Sequence, residues 1–89
     1  MRRIVGFILH RSFEKSYARQ ELGVKAAFRE RRNLLLIDPD HPLLNCHPLQ
    51  GKWKGYWSMN VNGDVRAVFK TEGFFAIFVE IDTHGRLYR

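Results

Sequence analysis

The sequence predicts an α+β domain in which one strand and two helices precede a three-stranded antiparallel meander. Three observations predict it. Ile4 to Leu9 alternates β-branched and aromatic residues with one glycine, the period of a strand. Residues 13 to 37 carry apolar side chains at helical spacing, with a break at Gly23. After Asp38-Pro39-Asp40-His41-Pro42 the period changes to two, and Asn62-Gly63 separates two alternating runs as a type I′ hairpin turn does.

Each element has its local reason. Ser12 is placed as the N-cap of a helix from about Phe13 to Gln20, with Glu14 in the first turn and Phe13 and Tyr17 facing inward as i, i+4 neighbours. A second helix is expected from about Val24 to Ile37. Val24, Ala27, Phe28, Leu34 and Leu35 form its apolar stripe, interrupted by Arg31. Pro39 and Pro42 each restrict the residue before them and end it. Tyr56 to Val61, Val65 to Lys70 and Phe74 to Ile81 then read as strands, with a second turn at Thr71-Glu72-Gly73. The last is nearly continuously apolar and is expected as a central strand buried on both faces. The order is β-α-α-β-β-β. The helices cover one sheet face and leave the other to form a concave site.

Eighty-nine residues make a single domain, 1–89, with room for one core. Apolar content of 45% and charged content of 27% fit a folded soluble chain. The longest apolar runs, Leu34 to Ile37 and Phe74 to Val79, are too short to span a bilayer, so no membrane partner is expected. Met1-Arg2-Arg3 before Ile4 to Leu9 has the outline of a secretory signal. The apolar part is very short and no small-residue cleavage site follows, so it is read as a strand. A single Cys46 cannot form an internal disulfide and fits a reducing, cytoplasmic setting, where it reads as a small buried hydrophobe.

Charge is unevenly placed. The net charge is +6, so the partner is expected to be a polyanion or an acidic protein. Residues 1 to 32 hold nine Lys/Arg against three Glu, whereas residues 33 to 89 hold six of each sign. The basic face therefore lies in the helical half, with Arg29, Arg31 and Arg32 in one helix. The candidate chemistry lies in the neutral half.

That chemistry is carried by His47-Pro-Leu-Gln-Gly-Lys-Trp-Lys-Gly-Tyr56, Asp64-Val-Arg66 and Thr83-His84-Gly-Arg-Leu-Tyr88. RNA supplies its own nucleophile, the 2′-OH. A ribonuclease must deprotonate it, stabilise the phosphorane and protonate the leaving 5′-oxygen. Imidazole, with an ordinary pKa of about 6.5, serves either proton transfer. Of the four histidines, His47 and His84 are the candidates, whereas His10 and His41 read as polar turn residues. Arg66, on a strand between Val65 and Ala67, can hold two phosphate oxygens. Asp64 can orient a neighbour or serve the turn, and Tyr88 can stack on a base. Lys52 and Lys54 around Trp53 interleave cations with rings, as single-stranded RNA requires. Trp53 itself reads as a core residue. One cysteine and scattered histidines lack zinc-ligand spacing, and no nucleotide-binding loop is present, so no metal and no cofactor is expected.

These three blocks, in this order and spacing, resemble the RelE superfamily of bacterial toxins, and within it the YafQ-like mRNA interferases. The resemblance spans nearly the whole chain and is strongest in its β half. It implies the RelE-like fold, with two N-terminal helices packed on one face of a meander sheet. It implies an endoribonuclease that cleaves mRNA in the ribosomal A site without metal, leaving a 2′,3′-cyclic or 3′-phosphate. In that reaction His47 and His84 act as acid and base, Arg66 stabilises the transition state, and Asp64 and Tyr88 support them. Lys52, Lys54, Arg86, Arg29, Arg31 and Arg32 are the expected RNA contacts, 16S rRNA included. The implied partner is a cognate antitoxin. Two positions depart from the YafQ-like pattern, Asn60 where a histidine is common and Val65 where a tryptophan is. Two other readings of the same fold stand beside the nuclease. One is a non-catalytic RNA- or ribosome-binding module, and the other is a protein-interaction domain.

Overall fold

A computed structural model describes residues Met1–Arg89. Its elements are β1 (Gly6–Leu9), α1 (Arg11–Ala18), α2 (Leu22–Ile37), β2 (His47–Pro48), a single 3-10 turn (Gly51–Trp53), β3 (Trp57–Asn62), β4 (Val65–Glu72), β5 (Phe75–Thr83) and α3 (His84–Leu87). The strands form one sheet in the spatial order β1-β5-β4-β3-β2. The expected meander β3-β4-β5 is present and antiparallel. β1 adds to its far edge in parallel, with Gly6 opposite Phe75 and Leu9 opposite Phe78, so the sheet is mixed rather than purely antiparallel. β5 is thus central, as expected, but it is not buried on both faces throughout, since Phe75 is 45% exposed and Phe74, expected as its first residue, lies outside the strand and is 53% exposed. A side chain at Gly6 would meet the Phe75 ring at 2.6 Å, which is why a glycine stands there.

α1 and α2 cover one face of the sheet. Their Phe13, Phe28 and Leu35 form a core with Met59, Val61, Ala67, Phe69, Ala76, Phe78 and Ile81 from the three meander strands. Phe28 and Leu35, seven positions apart, are the fully buried residues of the α2 stripe. The half-buried Arg31 between them donates from Nε to the Val61 carbonyl at 3.4 Å, which resolves the break in the stripe.

Local boundaries differ from expectation for physical reasons. α1 starts at Arg11, because the His10 N–H still bonds the Phe78 carbonyl as the end of β1. His10 then takes the N-cap, its Nδ1 accepting from the Ser12 N–H at 3.1 Å. Ser12, the expected cap, donates from Oγ to the Val79 carbonyl at 2.7 Å instead. Gly23 does not break the helices. It lies inside α2, and the break falls just before Glu21, which is extended. The hairpin turn is also displaced. A bulge between Asn60 and Asn62 puts Asn62 opposite Val65, so the loop is Gly63-Asp64. Only Gly63, at φ 52°, is left-handed there, so the turn is not type I′.

The second sheet face is not bare. The chain from Leu49 to Tyr56 and the short α3, neither expected as sheet cover, fold onto part of it. Leu49, Val68 and Leu87 form a second small core with Trp53, Tyr56, Val79 and Tyr88 around it.

Phe28→Ala removes a ring that contacts those of Phe13, Tyr17 and Phe78. It is expected to cost about 3–5 kcal/mol of stability, read as a lower urea midpoint with an unchanged slope.

Candidate active site

Strand alternation places two of the predicted groups, His47 and Arg66, on the face turned away from α1 and α2. His47 lies opposite Ser58, and Ser58 opposite Val68. One step along, Asn60, Arg66 and Asp82 form the next row. Cross-strand partners share a face, as do residues two apart on one strand. From strand spacing and rise, His47 and Arg66 have Cα atoms roughly 12 Å apart, a gap that an imidazole and an extended guanidinium can close around one phosphate.

His47 is exposed on the edge strand. Its Nδ1 lies 2.8 Å from the Asn45 carbonyl. A carbonyl only accepts, so in the neutral ring the proton sits on Nδ1 and Nε2 carries the lone pair. Asn45 holds this geometry from a left-handed backbone, φ 44°, which asparagine tolerates. His84 begins α3. Its backbone N–H donates to the Asp64 carbonyl at 2.8 Å, which fastens α3 to the β3–β4 turn. The His84 ring meets the edge of Tyr88 at 4.7 Å. Tyr88 is half-buried against the second core, not frayed. Asp64 therefore contributes its main chain to the site's architecture.

Arg66 is half-buried. Its Nη1 donates to the carbonyls of Gly63 at 2.8 Å and Val65 at 3.2 Å, within its own hairpin. No carboxylate neutralises it. The one ion pair in the molecule joins the Met1 ammonium to Asp40 at 3.1 Å. Asp82, its partner across the β4–β5 pair, accepts instead from the Thr83 N–H at 2.8 Å.

The expected RNA contacts separate into three places. Lys52 and Lys54 flank the half-buried Trp53, and Lys52 Nζ reaches the Arg89 carbonyl at 3.3 Å. They lie beside α3, since Trp53 Nε1 donates to the Leu87 carbonyl at 3.0 Å. Arg29, Arg31 and Arg32 lie on α2, the helix on the opposite side of the sheet. There Arg29 bonds the Tyr17 hydroxyl at 3.0 Å and Arg32 stacks over Phe7 at 4.5 Å. Arg86 lines a cavity of about 570 Å³ between Arg19, Gln20 and Glu21 on one wall and Asp82 and Thr83 on the other. No pattern in the chain announces this cavity, because its walls come from the α1–α2 connection, α2, β4, β5 and α3 and meet only in the folded protein.

Sequence reasoning missed Ser58 and Asn45, and it marked Asn60 only as a departure from the YafQ-like pattern. Ser58 Oγ and Asn60 Oδ1 are buried without a hydrogen-bond partner, each opposite a candidate catalytic residue. Alternation from Arg66 and His47 was the signal that could have found them. Cys46 is half-buried, and burial pushes its thiol up to about 12, with Asp40 as the next cause.

No protein-family model and no curated protein sequence matches the chain. Solved structures do. A copper-bound mutant toxin from Helicobacter pylori superposes with a TM-score of 0.69 at 22% identity, over 96% of this chain and 100% of that one. The toxin–antitoxin complex RelBE2 from Mycobacterium tuberculosis matches with a TM-score of 0.74 at 15% identity, over 91% and 99%. YafQ from E. coli matches with a TM-score of 0.64 at 24% identity, over 93% and 97%. The fold is therefore that of the small α+β toxins of toxin–antitoxin pairs. Among these it is the RelE type, shared with YafQ and with a YoeB/ParE toxin.

Trp53→Phe keeps the ring but removes the bond to Leu87. It is expected to cost about 1 kcal/mol and to speed amide exchange in α3 more than in the sheet. The Cys46 thiol should resist a thiol reagent at pH 8 until the chain unfolds. Because its folded value is raised above the ordinary 9.0, stability should hold below pH 9 and fall as pH rises from 9 toward 12, followed by urea titration at several pH values.

Proposed function

We propose that this protein is the toxin of a type II toxin–antitoxin pair and acts as a metal-independent endoribonuclease on mRNA bound to the ribosome. The observation that carries the reading is the placing of His47, with its Nε2 lone pair, and the unneutralised Arg66 on one sheet face, the face against which Leu87 of the short helix that begins with His84 packs. His47 Nε2 takes the proton of the RNA 2′-OH as its oxygen attacks the adjacent phosphorus. Arg66 holds the equatorial oxygens as charge builds on the phosphorane. His84, against Tyr88, gives a proton to the leaving 5′-oxygen. A 2′,3′-cyclic phosphate and a 5′-OH result, and the two histidines exchange protonation states. Lys52 and Lys54 bind flanking phosphates, and Arg29 and Arg32 of α2, with the half-buried Arg31 beside them, dock on ribosomal RNA. The partner is a cognate antitoxin, as in the DinJ–YafQ complex of E. coli, a structural neighbour. A charge of +6 favours an acidic one.

A second reading, an RNA-binding module without catalysis, is favoured by the engagement of Arg66 with its own hairpin carbonyls. One experiment separates the two. An mRNA paused on purified ribosomes is incubated with the native chain, His47→Ala, His84→Ala and Arg66→Ala, with EDTA present. The nuclease requires cutting by the native chain and a loss of about 10²-fold or more in each variant. Ribosome binding without cutting selects the binding module.

A further inference from the structure

Asn60 has no role in the reaction as written, yet two observations single it out. Its Oδ1 is buried and accepts no hydrogen bond. Its register partner across β3 and β4 is Arg66. Such partners have Cα atoms roughly 4.5–5.5 Å apart and project from the same face, well within the reach of an arginine. The Arg66 guanidinium is nevertheless engaged along its own hairpin, where Nη1 serves the Gly63 and Val65 carbonyls. A guanidinium carries five N–H donors and an amide oxygen has two lone pairs. An empty acceptor thus stands beside a donor-rich group that uses one nitrogen elsewhere. The bulge between Asn60 and Asn62 falls at the same point, and bulges re-aim the side chains next to them.

We propose that Asn60 is a positioning residue for Arg66, whose guanidinium has two stations. In the first it rests on the hairpin carbonyls. In the second it lies over the sheet face, donates to Asn60 Oδ1 and presents its remaining N–H groups to a phosphate. The proposal rests on the reading of Arg66 as the phosphate ligand. A phosphate binds the second station better and shifts the balance toward it. Asparagine suits this role because its oxygen is neutral. It orients the guanidinium without competing for its charge, whereas a carboxylate would pair with Arg66 and repel the substrate.

The test follows the Arg66 Nε–Hε NMR correlation of the full chain, assigned by its loss in Arg66→Lys, as inorganic phosphate is added. In the native chain phosphate is expected to shift the signal and slow its exchange with water. In Asn60→Ala the shift remains and the slowing is lost. In Asn60→Asp the signal is slowed before any phosphate and responds less to it. For RNA cleavage, Asn60→Ala lowers kcat roughly tenfold with KM nearly unchanged, because orientation and not charge is lost. A native Arg66 signal indifferent to phosphate overturns the proposal. So does a response that is the same in all three chains, or an unchanged kcat in Asn60→Ala. If the native chain cuts no RNA, the nuclease reading fails by itself. A phosphate response that depends on residue 60 then still supports the two stations, and one that does not overturns them.

Discussion

The packing of Phe78 on three aromatic rings is the constraint from which the other contacts follow. Its ring lies 5.6 Å from Phe13, 5.1 Å from Phe28 and 5.3 Å from Phe69, joining both long helices and β4 through one side chain of β5. Aromatic contacts at these separations add to the large area each ring buries. They also fix the height of both helices above the sheet. With one face committed to this cluster, the alternate residues of β3 and β4 are turned outward, and Arg66 with its neighbours Ser58 and Asn60 occupies such positions.

The two bulges adjust this division. One, between Val68 and Phe69, shifts the β4–β5 register. Beyond it Glu80 lies next to α1, where its carboxylate accepts from Ser16 Oγ and from the Ile81 N–H. The other, next to Asn60, sets the length of the hairpin that carries Asp64 and Arg66. One bulge thus falls within the core, at Val68 and Phe69, and the other at the rim of the candidate site. The second core contributes in a different way. It is small, and it bends the chain after His47 and the chain after Thr83 onto the same surface through Leu49, Val68 and Leu87.

Much of the architecture was legible in the residues. The meander follows from alternation and from Gly63 and Gly73. The helices follow from the spacing of Phe13, Phe28 and Leu35. What was not legible depends on distant partners. The parallel docking of β1 on β5 has no local signal, because either edge of a meander accepts a strand equally well. His10 displaced Ser12 as the cap only because its own N–H was held by Phe78. Of the candidate site, alternation made the face of Arg66 readable, since it lies on a strand between Val65 and Ala67. The folded-back Arg66, the tautomer imposed on His47 by Asn45 and the empty acceptor on Asn60 are properties of tertiary contact, and no pattern in the chain announces them.

The pairing of Gly6 with Phe75 has a consequence for the birth of the protein. Strand β1 is made before α1, α2 and β2 to β4, yet its only partner in the sheet is β5, which is made after all of them. The aromatic cluster likewise needs Phe78 before Phe13 and Phe28 have a sheet to cover. Closing so long a loop is entropically costly, and non-local pairings of this kind fold slowly. A nascent chain must therefore hold its apolar helices unshielded until β5 emerges, and α3, which brings His84, can dock only after that. The order of synthesis thus delays assembly of the candidate site until β5 and α3 have both been made.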